Sequence, residues 1–338
     1  MMNFSFEPLR DWFTQEKRDF PWRKKPTPYG VWVSEVMLQQ TRASVVIPYY
    51  LRWMERFPSV HSLANTSIEE VIKLWEGLGY YARARALWEG ARTIVSRFGG
   101  VVPSRFEDLA EVKGLGPYTI GAILSFAFHQ KAPAVDGNVL RVVSRFLAIE
   151  EEVDRQVIQK KIRQFVVDLL PDREPWVIME AVIELGATIC TKRPLCERCP
   201  LAGDCRAYRT GREMELPKKK KKAAITILRR KVPVILFEEW VLLQKHEGRQ
   251  VMSGLYEFPY FDEKEREEAF YPGRLVLEGK LAEVQHTFTR YKAWLFPTVW
   301  RAEERKEVAG YEWVSRVRLA ELPFSSGHRK ICKNIGKE

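Results

Sequence analysis

Apolar residues recur at intervals of three and four through the first two thirds of the chain. VWVSEVMLQQT (31–41), IEEVIKLWEGL (68–78) and ARARALWEGARTIVSRF (82–98) each carry them at helical spacing. Pro58, Gly99, Gly100 and Pro103 punctuate these stretches. The pattern predicts an all-α domain over residues 1–215. It changes at LPKKKKKAAITILRRK (216–231), where the lysine run Lys218–Lys222 suits neither a helix core nor a strand. A solvated linker is expected over 216–228. Beyond it, ITILRRKVPVILF, WVLLQKH, LYEFPYF and YKAWLFPTVW are rich in β-branched and aromatic residues between turns. They predict a second, α+β domain over 229–338. The sequence contains no internal repeat.

A chain of 338 residues is long enough for two domains, each with its own core. No apolar run approaches the ~18 residues of a membrane span. The opening MMNFSFEPLRDWF lacks the charged-then-apolar order of a signal peptide. The expectation is a cytoplasmic protein with reduced thiols. The net charge of +11 suits a polyanionic partner, although a merely basic surface has the same composition.

Two local patterns carry chemistry. Four of the five cysteines, Cys190, Cys196, Cys199 and Cys205, fall within CTKRPLCERCPLAGDC at intervals of five, two and five residues. In a reducing compartment such crowding reads as metal ligands. Zinc and an iron–sulfur cluster both accept four thiolates. Zinc ribbons use two CxxC pairs, whereas this chain has one pair flanked by single cysteines, which favours the cluster. Arg193, Arg198 and Arg206 lie between and beside the ligands, as in a phosphate-contacting knuckle. Cys332 stands apart as an incidental thiol. The second pattern is FEDLAEVKGLGPYTIGAILSFAF, in which Gly114 and Gly116 interrupt a helical run just before Pro117. Glycine permits a tight turn, proline suits a first helical position, and the free amides of such a helix start bind phosphate. A plain interhelical turn has the same signature.

The turn near 112–121, the stretch AVDGNVLRVVSR that follows it and the cysteine loop 190–205 together resemble the helix-hairpin-helix DNA glycosylase superfamily. VWVSEVMLQQT, EGLGYYARAR and EAVIELGA narrow the resemblance to the MutY-type adenine DNA glycosylases. It runs over nearly all of 8–210 and is weaker over 228–338, where that family carries a Nudix-like domain. It implies a glycosylase that removes adenine mispaired with 8-oxoguanine or G in double-stranded DNA. It further implies a 4Fe–4S cluster held by the four cysteines, and the expectation is a monomer.

Carried over residue by residue, the resemblance makes Glu35 the acid that protonates adenine. Asp136 becomes the carboxylate that stabilises the cationic sugar. Tyr118 and Asn138 are then positioning groups, and Trp22, Arg23 and Glu180 line the adenine pocket. Gln40, Thr41 and Tyr80 would probe the base opposite adenine, and Gly114 and Gly116 would grip the backbone. Endonuclease III relatives place a Schiff-base lysine where this chain has Tyr118, so a monofunctional enzyme is expected. Taken singly, Glu35 reads as a surface helix charge and Asp136 as a capping residue.

The chain departs from the family in two places. The recognition loop, usually Phe-Ser-His, is Phe288-Thr289-Arg290, and the first cysteine interval is five residues instead of six. GLYEFPYFDEKEREEAF (254–270) does not fit a complete glutamate-rich Nudix box, so the second domain is expected to bind without hydrolysing nucleotides. The rival readings are an endonuclease III-like glycosylase/lyase for oxidised pyrimidines, and a non-catalytic DNA-binding iron–sulfur protein.

Overall fold

The computed structural model describes residues 7–220, 224–246, 252–263, 265, 270–288 and 290–335. By its contacts the chain forms two compact units, Met1–Asn65 with Glu89–Lys221, and Thr66–Trp88 with Lys222–Glu338. Among the described residues no helix is long and apolar enough to cross a membrane.

The first unit is helical. Its central helix, Pro28–Leu38, begins with Pro28 at the first turn and Thr27 as the cap, whose hydroxyl accepts from the Gly30 amide. Every residue from Tyr29 to Met37 is buried, so this helix is apolar on all sides and lies within the core. Glu35 is carried into that interior with it. The expected hairpin consists of the helices Phe106–Ala110 and Pro117–Ala122, joined by a turn in which Gly114 has φ 86°. That value lies in the left-handed region that glycine enters without cost. A π-helical segment, Ile123–Ala127, continues the second helix.

Asp136 caps the helix Gly137–Leu147, and Pro175 opens the helix Pro175–Thr188. These two helices pack closely because Gly186 has no side chain. A Cβ there would stand 2.6 Å from the Asn138 Cβ. The segment after the cysteine loop is tied down: the Val153 amide donates to the Lys218 carbonyl (3.0 Å), and the Lys220 amide to Asp154 (2.9 Å). The first part of the expected linker is therefore backbone-anchored to the helical unit.

The second unit is built on a sheet of β1 (Thr226–Phe237), β2 (Trp240–Lys245), β3 (Tyr256–Glu257), β4 (Phe261–Asp262), β5 (Leu275–Lys280), β6 (Val284–Phe288), β7 (Tyr291–Ala302) and β8 (Glu312–Ser315). The long strands β1 and β7 run parallel, in register from Thr226 opposite Tyr291 to Leu236 opposite Arg301. The β2, β5 and β6 strands extend this pair by antiparallel ladders. Alternation along β1 sends Val232 and Val234 into one core with Leu243, Phe258, Leu295, Phe324 and Ile331. Ile235 faces the other way, towards Leu242, Tyr271 and Trp300. The helix Ser326–Ile335 closes the first face through Ile331 and Ile335. Residues 66–88, which helical periodicity groups with the first domain, pack with this second unit.

Candidate active site

Glu35 is 6% exposed in the middle of the Pro28–Leu38 helix. Its Oε2 accepts the hydroxyl hydrogen of Tyr118, delivered by the second helix of the hairpin. Burial pushes the Glu35 carboxyl up to about 7. The Tyr118 hydrogen bond opposes this, and the charges of Asp136 and Glu180 add to it. The phenol of Tyr118 is likewise raised, first by burial and then by the negative charges of Glu35 and Asp136, so it stays neutral.

Asp136 is held differently. Its Oδ1 accepts from the Asn138 and Val139 amides at 2.9 and 2.8 Å, and its Oδ2 from the Asn138 side chain at 2.7 Å. These are the free donors of a helix start. Burial raises its pKa above the ordinary aspartate value, while the three donors and Arg141 pull it back.

Arg23 and Glu180 lie within electrostatic reach of Glu35. Trp22 is buried, stacked on Phe20 with centroids 4.8 Å apart and edge-on to Tyr50 at 5.4 Å. Arg23 reaches Glu180 at 2.9 Å and Glu184 at 3.0 Å. Arg18 holds Glu184 through both of its oxygens. Burial raises Glu180, whereas at Glu184 the two arginines overcome burial and hold the carboxyl below its usual range. The sequence reading missed Glu184 and Arg18. The signal lay in EAVIELGA, where two acids four residues apart on an apolar helix must share one face and find cations.

Arg141 was missed as well. Its guanidinium donates to the Asn138 Oδ1 at 2.8 Å, the Gly186 carbonyl at 2.6 Å and the Cys190 carbonyl at 2.7 Å. It therefore ties the cap of Asp136 to the first residue of the cysteine loop. Arg145, buried, donates to Cys190 Sγ (3.3 Å) and to the Thr191 and Leu216 carbonyls (2.6 and 2.8 Å). The four thiols Cys190, Cys196, Cys199 and Cys205 line one small cavity together with Arg145, Leu195, Tyr208 and Glu213. Among the described residues no group of three or more His, Cys, Asp or Glu converges on a single ion. Four thiols facing one cavity are a donor set that suits either an iron–sulfur cluster or a tetrahedral zinc. Burial pushes Cys199 up to about 12, and the neighbouring thiols add to it, so four thiolates there require cationic compensation.

The expected probing residues are split between the units. Gln40, exposed, and Thr41, partly buried, follow the Pro28–Leu38 helix, with Gln40 at φ 58°. Tyr80 belongs to the second unit, at φ 49° and 46% exposed. Positive φ at two non-glycine residues is strain that surrounding structure must hold. In the second unit Phe288 ends β6 opposite Tyr291, and Arg290 donates to the Tyr291 hydroxyl at 3.1 Å. Thr289 lies outside the described residues. Of the acids in 254–270, Glu257 is buried against His246 at 2.8 Å and Glu263 pairs with Arg229 at 2.8 Å. Residues 264 and 266–269 also lie outside the described residues.

Residues 33–167 match the HhH-GPD superfamily of base excision DNA repair proteins, and 232–334 match the NUDIX domain. The adenine DNA glycosylase of Rattus norvegicus is 46% identical over 222 residues, 62% of this chain and 43% of that protein. The chain thus spans less than half the length of this mammalian relative. The adenine DNA glycosylase of Buchnera aphidicola subsp. Schizaphis graminum is 32% identical over 286 residues, covering 83% of this chain and 82% of the relative. Among solved structures, a thermostable thymine-DNA glycosylase superposes with a TM-score of 0.56 at 27% identity, over 60% of this chain and 94% of its own. A helix-hairpin-helix unit and a Nudix-like unit in one chain, with near full-length similarity to a bacterial relative, lead to one conclusion: the chain belongs to the MutY-type adenine DNA glycosylase family.

Proposed function

We propose that this protein is a monofunctional DNA glycosylase that hydrolyses the N-glycosidic bond of adenine mispaired with 8-oxoguanine or G. The observation that carries the reading is the pairing of a buried glutamic acid, raised to about 7, with an amide-capped aspartate. Adenine leaves poorly as an anion, and its departure makes the sugar cationic. The first difficulty calls for an acid and the second for a fixed negative charge. Glu35 gives its proton to adenine, at N7, as the electron pair of the C1′–N9 bond moves onto the base. Asp136, its ionised form favoured by three donors, faces the developing positive charge at C1′ until water adds there and returns a proton to the ionised Glu35. Tyr118 orients Glu35, and Asn138 orients Asp136.

The target adenine must leave the duplex to reach this site. Trp22 supplies an aromatic wall, and the Arg23–Glu180 pair offers donors and acceptors to its edge. Gly114 and Gly116 present amides to the backbone phosphates. Gln40, Thr41, Tyr80 and the Phe288-Thr289-Arg290 loop read the opposite base. Cys190, Cys196, Cys199 and Cys205 would hold a 4Fe–4S cluster, whose role would be to anchor the loop that Arg141 joins to Asn138. The second unit binds DNA without nucleotide hydrolysis, since Glu257 is engaged by His246 and Glu263 by Arg229.

The test is a glycosylase assay on duplexes carrying A opposite 8-oxoguanine, A opposite G, or thymine glycol, each developed with and without alkali. Adenine should be released from the first two, with strand breaks only after alkali. Release of thymine glycol, or strand cleavage without alkali, would overturn the assignment in favour of an endonuclease III-like lyase.

A further inference from the structure

The turn that carries Tyr80 is built on positive φ, and at Tyr80 itself this is strain. Gly77, Gly79 and Tyr80 have φ of 104°, 70° and 49°, and Tyr80 is nonetheless 46% exposed. An exposed tyrosine does not stay in the left-handed region through its own contacts, so its neighbours must fix it. One support is local. Arg83 donates to the Leu78 and Gly79 carbonyls, both at 3.1 Å, with its guanidinium 5.5 Å from the Tyr80 ring centre.

The other support comes from the far end of the sequence. Arg329 forks onto both oxygens of Glu76, Nε to Oε1 at 2.5 Å and Nη2 to Oε2 at 3.0 Å. Both partners are largely shielded, with side chains 18% and 15% exposed, so the pair is less screened than a surface bridge. Arg329 also donates to the carbonyls of Leu319 and Leu322. Lys73 bridges Glu76 (2.9 Å) to the Leu322 carbonyl (3.2 Å). The Tyr81 hydroxyl donates to the Phe324 carbonyl at 3.1 Å. Glu76 and Tyr81, which bracket the turn, are thus both fastened to residues 319–329. The same C-terminal helix, Ser326–Ile335, meets β6 at Gly327, where a Cβ would lie 2.8 Å from His286 Nδ1. His286 is two residues before Phe288. One helix therefore supports the Tyr80 turn through Arg329 and the strand leading to Phe288 through Gly327.

We propose that the Ser326–Ile335 helix is the common seat of the two base-probing elements, with Arg329, through Glu76, a positioning residue for Tyr80. Arg329 is then a determinant of the preference for 8-oxoguanine over G opposite adenine. This rests on the reading of Tyr80 given under Proposed function. It also changes what a truncation would report. Deleting 217–338 removes the Phe288-Thr289-Arg290 loop and the seat of Tyr80 together, so a lost preference cannot be assigned to the loop alone.

The test uses the full chain with Arg329→Ala, Arg329→Lys, the exchanged pair Glu76→Arg with Arg329→Glu, and Tyr80→Ser. Two signals are read: the single-turnover excision ratio for A opposite 8-oxoguanine over A opposite G, and the fluorescence of 2-aminopurine placed next to 8-oxoguanine. Arg329→Ala should lower the ratio by about fivefold or more, while excision opposite G stays within about twofold, the size of effect expected when a positioning contact is lost. The 2-aminopurine response on binding should shrink in parallel, and both signals should recover in part with Arg329→Lys and with the exchanged pair. An unchanged ratio and response in Arg329→Ala, with both lost in Tyr80→Ser, overturns the seat alone. Signals unchanged in both variants overturn the reading of Tyr80 and the seat with it. An equal fall on both duplexes, without recovery in the exchanged pair, reduces Arg329 to a fold-stabilising residue and likewise overturns the proposal.

Discussion

Glu35 in the first unit and Glu257 in the second are both buried glutamates, and the two are tuned in opposite directions. Glu35 lies among apolar side chains with a neutral phenol as partner, and burial raises it to about 7. Glu257, 4% exposed, would also be raised by burial, yet it is held below the ordinary glutamate range. The difference is the company. His246 approaches one Glu257 oxygen at 2.8 Å and His328 the other at 3.9 Å. The Phe258 amide donates to His328 Nδ1 at 3.0 Å, which leaves the His328 proton on Nε2, facing the carboxylate. Burial keeps that imidazole neutral, lowering it to about 4. Equal burial thus produces a proton donor where the partner is a phenol, and a fixed anion where the partners are imidazole N–H groups. The first is suited to chemistry and the second to holding β2, β3 and the C-terminal helix together.

The largest expected effect is on the chemical side. Glu35→Gln should slow single-turnover adenine excision by about 10²–10⁴-fold, the range of a lost general acid, while lesion duplex is still bound. A variant within tenfold of the parent would remove Glu35 from the acid role. The same substitution should leave thermal stability unchanged or improved, because it removes a carboxyl that burial disfavours.

At Glu257 the outcome should invert. Glu257→Gln loses the charge-assisted contacts and should cost about 1–3 kcal/mol, read by denaturation of the full chain, with excision opposite G nearly unaffected. A neutral result would mean that the imidazoles do not rely on the carboxylate.

Acidity sharpens the contrast within one molecule. Glu35 is raised on folding, so its contribution is fully present below about 4.5 and is lost as pH rises through about 7. Glu257 is lowered, so its contribution is lost as pH falls through its folded value. His328 is lowered too, so folding is disfavoured as pH falls from its ordinary 6.5 towards about 4. Hydrogen exchange on the full chain should show peptides around 28–38 gaining protection between pH 7 and 5.5, while peptides around 326–335, which carry His328, lose it; the loss at Glu257 should follow only below the ordinary glutamate range. The excision rate should fall as pH rises past about 7, because the acid form of Glu35 is being depleted. Parallel responses of the two regions would break the comparison.

An effect of similar size concerns packing beside Asp136. Gly186→Ala places a Cβ 2.6 Å from that of Asn138, and should cost about 1–3 kcal/mol by overpacking, with a matching loss of excision rate as the Asp136 cap shifts. Calorimetry and single-turnover rates on one preparation decide whether the two losses go together.

Much of this architecture is local, and local features are legible along a chain. Helical periodicity, the Gly114–Pro117 turn, the Asp136 cap and the spacing of the four cysteines depend on neighbours within a few residues. The same holds for the switch to β-branched strands after the lysine run. The parallel pairing of β1 with β7, the Arg23–Glu184 contact and the Arg141 link from Asn138 to Cys190 join residues far apart in sequence. Pattern alone does not reach them. Residues 66–88 are the clearest case. Their helical texture is real, but periodicity reports that a helix has an apolar face and not which surface covers it. The identity of Glu35 as a carboxyl was written in the sequence. Its pKa near 7 was not, because that value is set by the apolar side chains that surround it, the Tyr118 hydroxyl and the charges of Asp136 and Glu180. A sequence states which groups are present; a proton's affinity depends on dielectric and distance, and those exist only once the chain has folded.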